Sequence, residues 1–419
     1  MAPWNWRLII GLLVVSGLAA SGLEAQVLSL EEARTRAFAV SPDLLAARAA
    51  VAAATAREGQ TGAFPNPVLS YSREQTSASG VTAWQNIALL EQRLDFGGPR
   101  GARREAARLH RDAALARIAL LESQLGFEVT RAYANAVAAE RRARVASEAA
   151  EAFSRARRIT EQRLAQGDVS GYTNRRIGLE AARYATLSAE AQLVRSNARL
   201  TLGELLAANS DSVNALAIPL ADSLPRLLAQ PPLDSLRSLA LQSRPELRVA
   251  QADIAASEAE ARAAAREAFP GPVAGLGFKN DRAATGVPTS RGFVLQVALP
   301  VPLWDRRRGA AAAFRADAAE RSAESIGLRR RIVREVETAW RSLRAVAEQL
   351  EAIRPQLGAE SRAALRAAEA AYAEGEISLV EWLDAVRAYQ EAEASFATLQ
   401  AEYVIQHAAL ERAVAARLN

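Results

Sequence analysis

Cysteine is absent from this sequence of 419 residues, which also contains only one methionine, two histidines and one lysine. Without cysteine the chain forms no disulfide, has no thiol nucleophile and carries no lipid on an N-terminal cysteine. His110 and His407 lie in helical stretches with no nucleophile signature nearby, and "GLGFKN" is not followed by the strand and helix of a dinucleotide-binding loop. We therefore expect a protein that is not an enzyme and that holds no cofactor or metal.

Long hydrophobic runs are also lacking, since none reaches the ~20 residues that a membrane-spanning helix needs. The apolar run Leu8–Leu18 follows Arg7 and precedes the small residues of "AASGLEAQ". This order is typical of a secretory signal peptide, and a membrane anchor is the weaker alternative because the run is short. We expect residues 1–25 to be removed after export, so that any insertion into a membrane must use β-strands.

Charge is abundant but mixed in sign. The chain has 52 basic residues, all arginine except Lys279, against 47 acidic residues, and its net charge is +5. Opposite charges interspersed at this density are typical of solvated helix faces. We therefore do not expect a nucleic-acid partner.

The chain reads as a tandem repeat. "SPDLLAARAA" matches "RPELRVAQAD" with Pro42 and Pro245 203 residues apart, and "LAQGDVS" matches "YAEGEIS" with Gly167 and Gly375 208 residues apart. Ordered matches with slowly drifting offsets indicate a duplication. The predicted organisation is a first repeat over residues 26–210, a linker over 211–232 and a second repeat over 233–419.

Each repeat is predicted to contain a very long helix, from Gly101 to Gln166 and from Gly309 to Glu374, each about 99 Å long. Apolar residues in both follow the alternating spacing of four and three that is typical of a coiled coil. They are Leu125, Val129, Ala132, Ala136, Ala139, Ala143 and Ala146 in the first repeat, and Ile332, Val336, Ala339, Leu343, Val346, Leu350 and Ile353 in the second. A lone helix of this length cannot bury such a stripe, so each must pack against neighbours.

Between the helices the sequence predicts two β-hairpins, over residues 68–94 and 273–303. Their strands are "VLSYSRE", "WQNIALLEQRL", "VAGLGFK" and "FVLQVALPVPL", joined by loops rich in Ser, Thr, Gly and charge. They fit either an outer-membrane barrel or the edge hairpins of a soluble domain. Four strands cannot close a barrel, so a membrane location requires several chains to pool their strands, and three chains would supply twelve.

The mature chain resembles the TolC-type outer-membrane efflux family. The resemblance rests on the duplicated helix–hairpin–helix order, on "LEEARTRAFAVSPDLLAARA", "FPNPVLSYS" and "LPVPLWDRRRGA", and on the "Y-x-x-G-x-x-S" break. It implies a mostly α protein with membrane β structure: a homotrimeric, twelve-stranded outer-membrane β-barrel with four strands per chain, continuous with a long periplasmic α-helical barrel.

The same resemblance implies a passive exit duct for drugs or metal cations in the outer-membrane lipid, docked to a periplasmic adaptor (a membrane fusion protein) and an inner-membrane pump. "PNP" and "LPVPLWDRRRGA" look most like the branch that serves heavy-metal and cation pumps. The alternative is a periplasmic coiled-coil adaptor or spacer without a channel. An adaptor should show one helical hairpin within a compact β domain, and a spacer should lack strand pairs.

The glycine breaks have a local explanation. Gly375 suits the left-handed end of a helix, Ser378 suits the start of the next, and Ser378 with Glu381 has the spacing of a capping box. The resemblance implies that these turns are the adaptor-docking tips of the tunnel, formed by Leu164, Gly167, Val169, Ser170, Tyr372, Gly375, Ile377 and Ser378.

The charges just beyond the second glycine leave two alternatives open. Glu381 and Asp384 match acidic positions that ring the tunnel entrance in the best-known family member, and Arg176 of the first repeat is placed to pair with them. Alternatively, Glu381 only caps its helix and Asp384 is a solvated charge. Ile377 stands where that member has the arginine that links its closed entrance, which puts the closure mechanism in question.

Overall fold

The computed structural model describes residues 27–78, 81–96, 98–207, 219–221, 230–269, 271–282, 288–353 and 359–418. The expected signal peptide and most of the expected linker lie outside these ranges. Within them the chain forms thirteen regular elements, and they follow the same order in each half of the sequence.

The first half builds two short helices, a β-hairpin and two long helices. They are α1 (Leu30–Val40), α2 (Pro42–Thr61), β1 (Val68–Ala78), β2 (Val81–Arg93), α3 (Pro99–Gln166) and α4 (Gly171–Leu206). Ser29 and Glu32 form a capping box at the start of α1, and the Ser41 hydroxyl caps α2, where Pro42 occupies the first turn. Side chains therefore satisfy amide donors that the first turn of each helix leaves free.

The second half repeats this order with one difference. Its elements are α5 (Leu233–Ser243), α6 (Pro245–Glu267), β3 (Val273–Arg282), β4 (Ser290–Ala298), α7 (Arg308–Ile353), α8 (Ala359–Glu374) and α9 (Leu379–Val414). The expected single helix from Gly309 to Glu374 is thus described as two helices. Residues 354–358 between them, which include Pro355, lie outside the described ranges.

The strands form one antiparallel sheet in the order β1-β2-β3-β4, so β1 and β4 are its edges. One face carries two cross-strand rows that are apolar on all four strands. These rows are Leu69, Leu90, Leu276 and Leu295, and Tyr71, Ala88, Phe278 and Phe293. The other face is more mixed: Ser70, Gly277 and Lys279 lie on it together with the apolar residues Leu89, Ile87 and Val294. The sheet is therefore amphipathic, and the larger side chains of its apolar face are exposed.

Glycines in β3 allow the central strands to approach each other. A Cβ at Gly277 would lie 2.3 Å from the Ala88 carbonyl oxygen and 2.9 Å from Leu89 Cδ1. The predicted fourth strand was too long at its end. It stops at Ala298 rather than at Leu303, and Pro300 and Pro302, which lack an amide donor, lie in the excess.

The helices pack along α3, which contacts α2 and α4 on one side and α6 and α9 of the second repeat on the other. In the second repeat α7 likewise contacts α6 and α9. The predicted coiled-coil stripes are mostly buried: Val129, Ala136, Ile332 and Val336 are completely inaccessible, whereas Leu125, Val346 and Ile353 are half-buried. Within the described part of the chain no single helix is long and apolar enough to cross a bilayer, and only α1 and α2 together, bent by 47°, meet that test.

Candidate functional site: the paired helical tip

Two glycine turns close the far end of the helices, away from the sheet. We call residues 167–170 and 375–378 the first and second turn, and both together the tip. Gly167 has φ +83° and Gly375 has φ +84°, the left-handed conformation that L side chains rarely adopt. In the second turn, the amides of Gly375 and Glu376 donate to carbonyl oxygens of the preceding helix at 3.2 and 2.8 Å. The glycines therefore terminate their helices as the sequence predicts.

Serine side chains start the helices that leave the tip. The Ser170 hydroxyl accepts the Thr173 amide at 3.2 Å, and the Ser378 hydroxyl accepts the Glu381 amide at 3.3 Å. In the second turn the Glu381 carboxylate also accepts the Ser378 amide at 2.7 Å, which completes the predicted capping box. These hydrogen bonds hold the pKa of the Glu381 carboxyl below its usual range, the larger effect coming from the Ser378 backbone.

Three residues join the ends of the two helices that lead into the turns. Arg163, in the last turn of α3, donates to the carbonyl oxygen of Ala373 at 2.7 Å and lies over the ring of Tyr372. The Tyr372 and Thr160 hydroxyls are hydrogen-bonded at 3.0 Å, and Thr160 is completely buried. Arg163 is a cation between the carboxyl-terminal ends of two helices, where the helix dipoles favour positive charge. Sequence reasoning missed both Arg163 and Thr160.

An aromatic core supports the tip from inside. Phe153 stacks on Tyr184 with ring centroids 4.1 Å apart and meets Trp382 edge to face at 4.9 Å, and Trp382 stacks on Tyr372 at 5.4 Å. Phe153 and Trp382 are no more than 1 % exposed. Four helices, α3, α4, α8 and α9, contribute to the surrounding cluster. The turns therefore rest on one shared core.

Most of the residues expected at the docking surface are accessible. Leu164, Gly167, Ser170, Gly375 and Ser378 are exposed, and Val169 and Ile377 are half-buried. Tyr372 differs, since it is only 5 % exposed and faces the aromatic core. We therefore correct its expected role: its ring supports the second turn from beneath and does not form part of the outer surface.

The gate residues expected from the sequence do not form a cluster within one chain. Glu381 and Asp384 are both exposed on α9, and Asp384 makes no ion pair among the described residues. Arg176, half-buried on α4, pairs with neither. The ion pair that does join α4 to α9 is Glu180 with Arg387, at 2.7 Å. This pair depends on which helix faces meet in space, so no local signal in the sequence identifies it.

The histidines stay outside the tip. His110 lies 2.7 Å from Glu260 on the neighbouring helix α6, and His407 lies 3.9 Å from Glu411 on its own helix. Across the ranges that the structure describes, no group of three or more His, Asp or Glu side chains is arranged to hold a metal ion.

The fold is that of solved outer-membrane channels. The outer membrane channel CmeC of Campylobacter jejuni superimposes with a TM-score of 0.72 at 17% sequence identity, over 92% of this chain and 85% of that one. At this identity the similarity concerns the fold alone.

The sequence then places the chain within a family. The pattern of the outer membrane efflux protein family matches residues 33–203 and 236–416, which is most of the chain, so the protein belongs to that family. This confirms the resemblance seen in the sequence. Members of the family are efflux channels and not enzymes.

Two relatives carry metal-resistance names. The cobalt-zinc-cadmium resistance protein CzcC of Cupriavidus metallidurans is 26% identical over 250 residues, which cover 60% of this chain and 57% of that protein. The nickel-cobalt-cadmium resistance protein NccC of Alcaligenes xylosoxydans xylosoxydans is 27% identical over 307 residues, covering 70% of this chain and 65% of that protein. The matches thus span less than two thirds of either relative.

Proposed function

We propose that three copies of this chain form the outer-membrane exit duct of a tripartite efflux pump. The observation that carries the proposal is the open, amphipathic sheet. Its edges, β1 and β4, leave backbone donors and acceptors unpaired, and one face carries two exposed rows that are apolar on all four strands. An open edge is not tolerated in lipid, and a large apolar face is not tolerated in water.

A ring of three sheets resolves both problems. Because β1 and β4 run in opposite directions, β4 of one copy can pair with β1 of the next in an antiparallel ladder, giving twelve strands. The apolar face with Leu69, Leu276 and Leu295 then contacts lipid, and the face with Ser70 and Lys279 lines the pore. The helices continue the wall as a tunnel in the periplasm.

The tip is then the periplasmic mouth of the duct. We propose that its accessible residues dock the adaptor: Leu164, Gly167, Val169, Ser170, Gly375, Ile377 and Ser378. Glu381 and Asp384, repeated three times around the axis, form an acidic entrance that favours cations. Arg176, which pairs with neither acid within its own chain, is available to meet the acidic residues of a neighbouring copy.

For the cargo we propose divalent metal cations, on the similarity to CzcC and NccC and on the acidic entrance. A passive duct needs no metal-binding cluster, because the pump selects the substrate. Organic drugs are the second candidate. Growth of a deletion strain on cobalt, zinc, cadmium and a panel of drugs, with and without the restored gene, separates the two. Restored tolerance to drugs but not to metals contradicts the metal assignment.

Membrane fractionation with unboiled gel electrophoresis tests the duct itself. We expect an outer-membrane protein that migrates as a heat-dissociable trimer. A soluble monomer contradicts the channel and favours the alternative of a periplasmic adaptor or spacer. The paired strands argue against a spacer, and two helical hairpins per chain argue against an adaptor.

A further inference from the structure

A groove lined by arginine lies where the sheet meets the helices. Its cavity of about 760 Å³ is bounded by the end of α6, the segment 299–307 and the first turns of α7. Four arginines line it, Arg306, Arg307, Arg308 and Arg315, and no acidic residue does.

The guanidinium groups of this groove are poorly neutralised. Arg307 lies 3.9 Å from Asp305, and both side chains are more than half exposed, so this contact is weak. Among the described residues, Arg306 donates to the carbonyl oxygen of Pro302 at 3.4 Å and makes no ion pair. Arg308 and Arg315 make no ion pair with any described residue. The groove therefore presents a concentrated positive charge, and among the described residues the weak contact with Asp305 is its one ion pair.

The rest of the groove wall is apolar and continues the apolar face of the sheet. At every second position from residue 293 to 303 the side chain is apolar and at least 60% exposed. The row consists of Phe293, Leu295, Val297, Leu299, Val301 and Leu303, and its last two members line the groove together with Phe269. The row leaves the strand after Ala298, and its last members lead along the chain from the proposed lipid-facing surface to the four arginines.

We propose that this groove binds an anionic phospholipid, with the phosphate headgroup on the arginines and an acyl chain along the row from Phe293 to Leu303. The inference rests on the proposed membrane position of the sheet. Guanidinium groups bind phosphate through paired hydrogen bonds, and arginines beside a bilayer attract anionic lipid. Trp304, which is 92% exposed and follows the groove residue Leu303 in the chain, is the residue type that concentrates at the membrane–water interface.

A second copy of the chain is the main competing occupant. In the proposed ring, the end of β4 lies beside the start of β1 in the next copy. The segment that leads into that strand, residues 59–67, reads "GQTGAFPNP" and contains no acidic residue. It therefore brings no carboxylate to the four arginines, whereas an anionic lipid brings a phosphate that guanidinium groups bind.

The experiment compares two charge-matched variants of the detergent-solubilised protein. Arg306→Gln with Arg308→Gln removes two groove charges. Arg329→Gln with Arg330→Gln removes two exposed charges from the same helix, roughly 30 Å farther along it. Native mass spectrometry then measures the retention of dioleoyl phosphatidylglycerol, with diacylglycerol as the lipid without phosphate.

We expect the wild type and the Arg329/Arg330 variant to retain phosphatidylglycerol in preference to diacylglycerol. The Arg306/Arg308 variant should bind it about 30-fold more weakly, from the attraction that each arginine exerts near a membrane surface. Equal retention of the two lipids by a trimeric wild type overturns the inference and leaves the duct intact, whereas a soluble monomeric wild type overturns both. Displacement of the lipid by millimolar inorganic phosphate would identify a free-anion site instead and overturn the lipid assignment.

A second measurement is needed if the Arg306/Arg308 variant does not form a trimer. If only that variant becomes monomeric, the groove is a contact between copies and the lipid assignment is wrong. In the otherwise unchanged protein, brominated phosphatidylglycerol should quench tryptophan emission at Trp304, and Trp304→Phe should remove most of that quenching. Quenching that is the same with and without Trp304 contradicts a lipid at this position.

Discussion

Asp384 and Glu381 should contribute unequally to cation preference at the entrance. Both lie exposed on α9, but Glu381 folds back onto the Ser378 amide at 2.7 Å, whereas Asp384 makes no ion pair among the described residues. The positive end of the helix dipole offsets part of the Glu381 charge. Asp384→Asn should therefore reduce cation preference more than Glu381→Gln, although each removes one charge per chain.

The size of the effect follows from Coulomb's law. Three carboxylates about 10 Å from the axis attract a monovalent cation by roughly 1.2 kcal/mol in water, and 0.1 M salt reduces this to about 0.5 kcal/mol. Asp384→Asn should therefore lower the cation preference about twofold. Glu381→Gln should change it clearly less, since glutamine also keeps the capping-box bond.

Reversal potentials in planar bilayers under a salt gradient measure this preference. Thermal unfolding of each variant checks that the tip still folds, and Glu381→Ala adds a comparison in which the capping bond is lost, at a cost of about 1 kcal/mol. An effect of Glu381→Gln equal to or larger than that of Asp384→Asn refutes the reasoning from the capping box. Unchanged preference in both variants removes the acidic gate altogether.

Three further predictions concern stability of the tip helices, each measured by chemical denaturation. Trp382→Ala should cost about 3–5 kcal/mol because it empties the aromatic core, and a loss below 1 kcal/mol would contradict the packing described. Gly375→Ala should lower the free energy of unfolding by about 1–2 kcal/mol, because Gly375 has a positive φ. Gly178→Ala should raise it by about 0.5–1 kcal/mol, because Gly178 lies inside α4 with open space around it. Stability changes of the same sign in both variants would be inconsistent with this account. Burial, assisted by Glu148, raises the pKa of Tyr389 to about 12. The contribution of its neutral hydroxyl to folding stability is therefore complete below pH 10 and is lost between pH 10 and 12. Tyr389→Phe should reduce the loss of stability across that pH range.

Features with a local cause could be predicted from the sequence. Gly375, Ser378 and Glu381 form a helix end, a cap and a capping box through neighbours within a few residues, so the structure confirms this turn. The apolar stripes of the long helices were predictable for the same reason, because helical periodicity alone defines which face must be buried.

Features that depend on the meeting of distant segments could not be predicted. Arg163 contacts Ala373 across 210 residues, and Glu180 contacts Arg387 across 207. Both bonds require knowing how the two repeats pack. The burial of Tyr372 was missed likewise, since its motif position indicates a turn but not the direction of its ring. The end of the fourth strand could have been predicted, because Pro300 and Pro302 disfavour strand structure. The alternation of apolar residues continues past them, and the predicted strand was therefore too long.

The bond from Arg163 to the end of α8 affects how an entrance built from this tip can move. With the Thr160–Tyr372 hydrogen bond and the aromatic core, it ties the helix ends that carry both turns of one chain into a single unit. Opening by separation of these helix ends would break all three, so in the proposed trimer we expect motion at the boundaries between chains. A trimeric mouth of this kind would have three moving parts, one per chain, instead of six. Each part would carry two docking surfaces, one from each repeat.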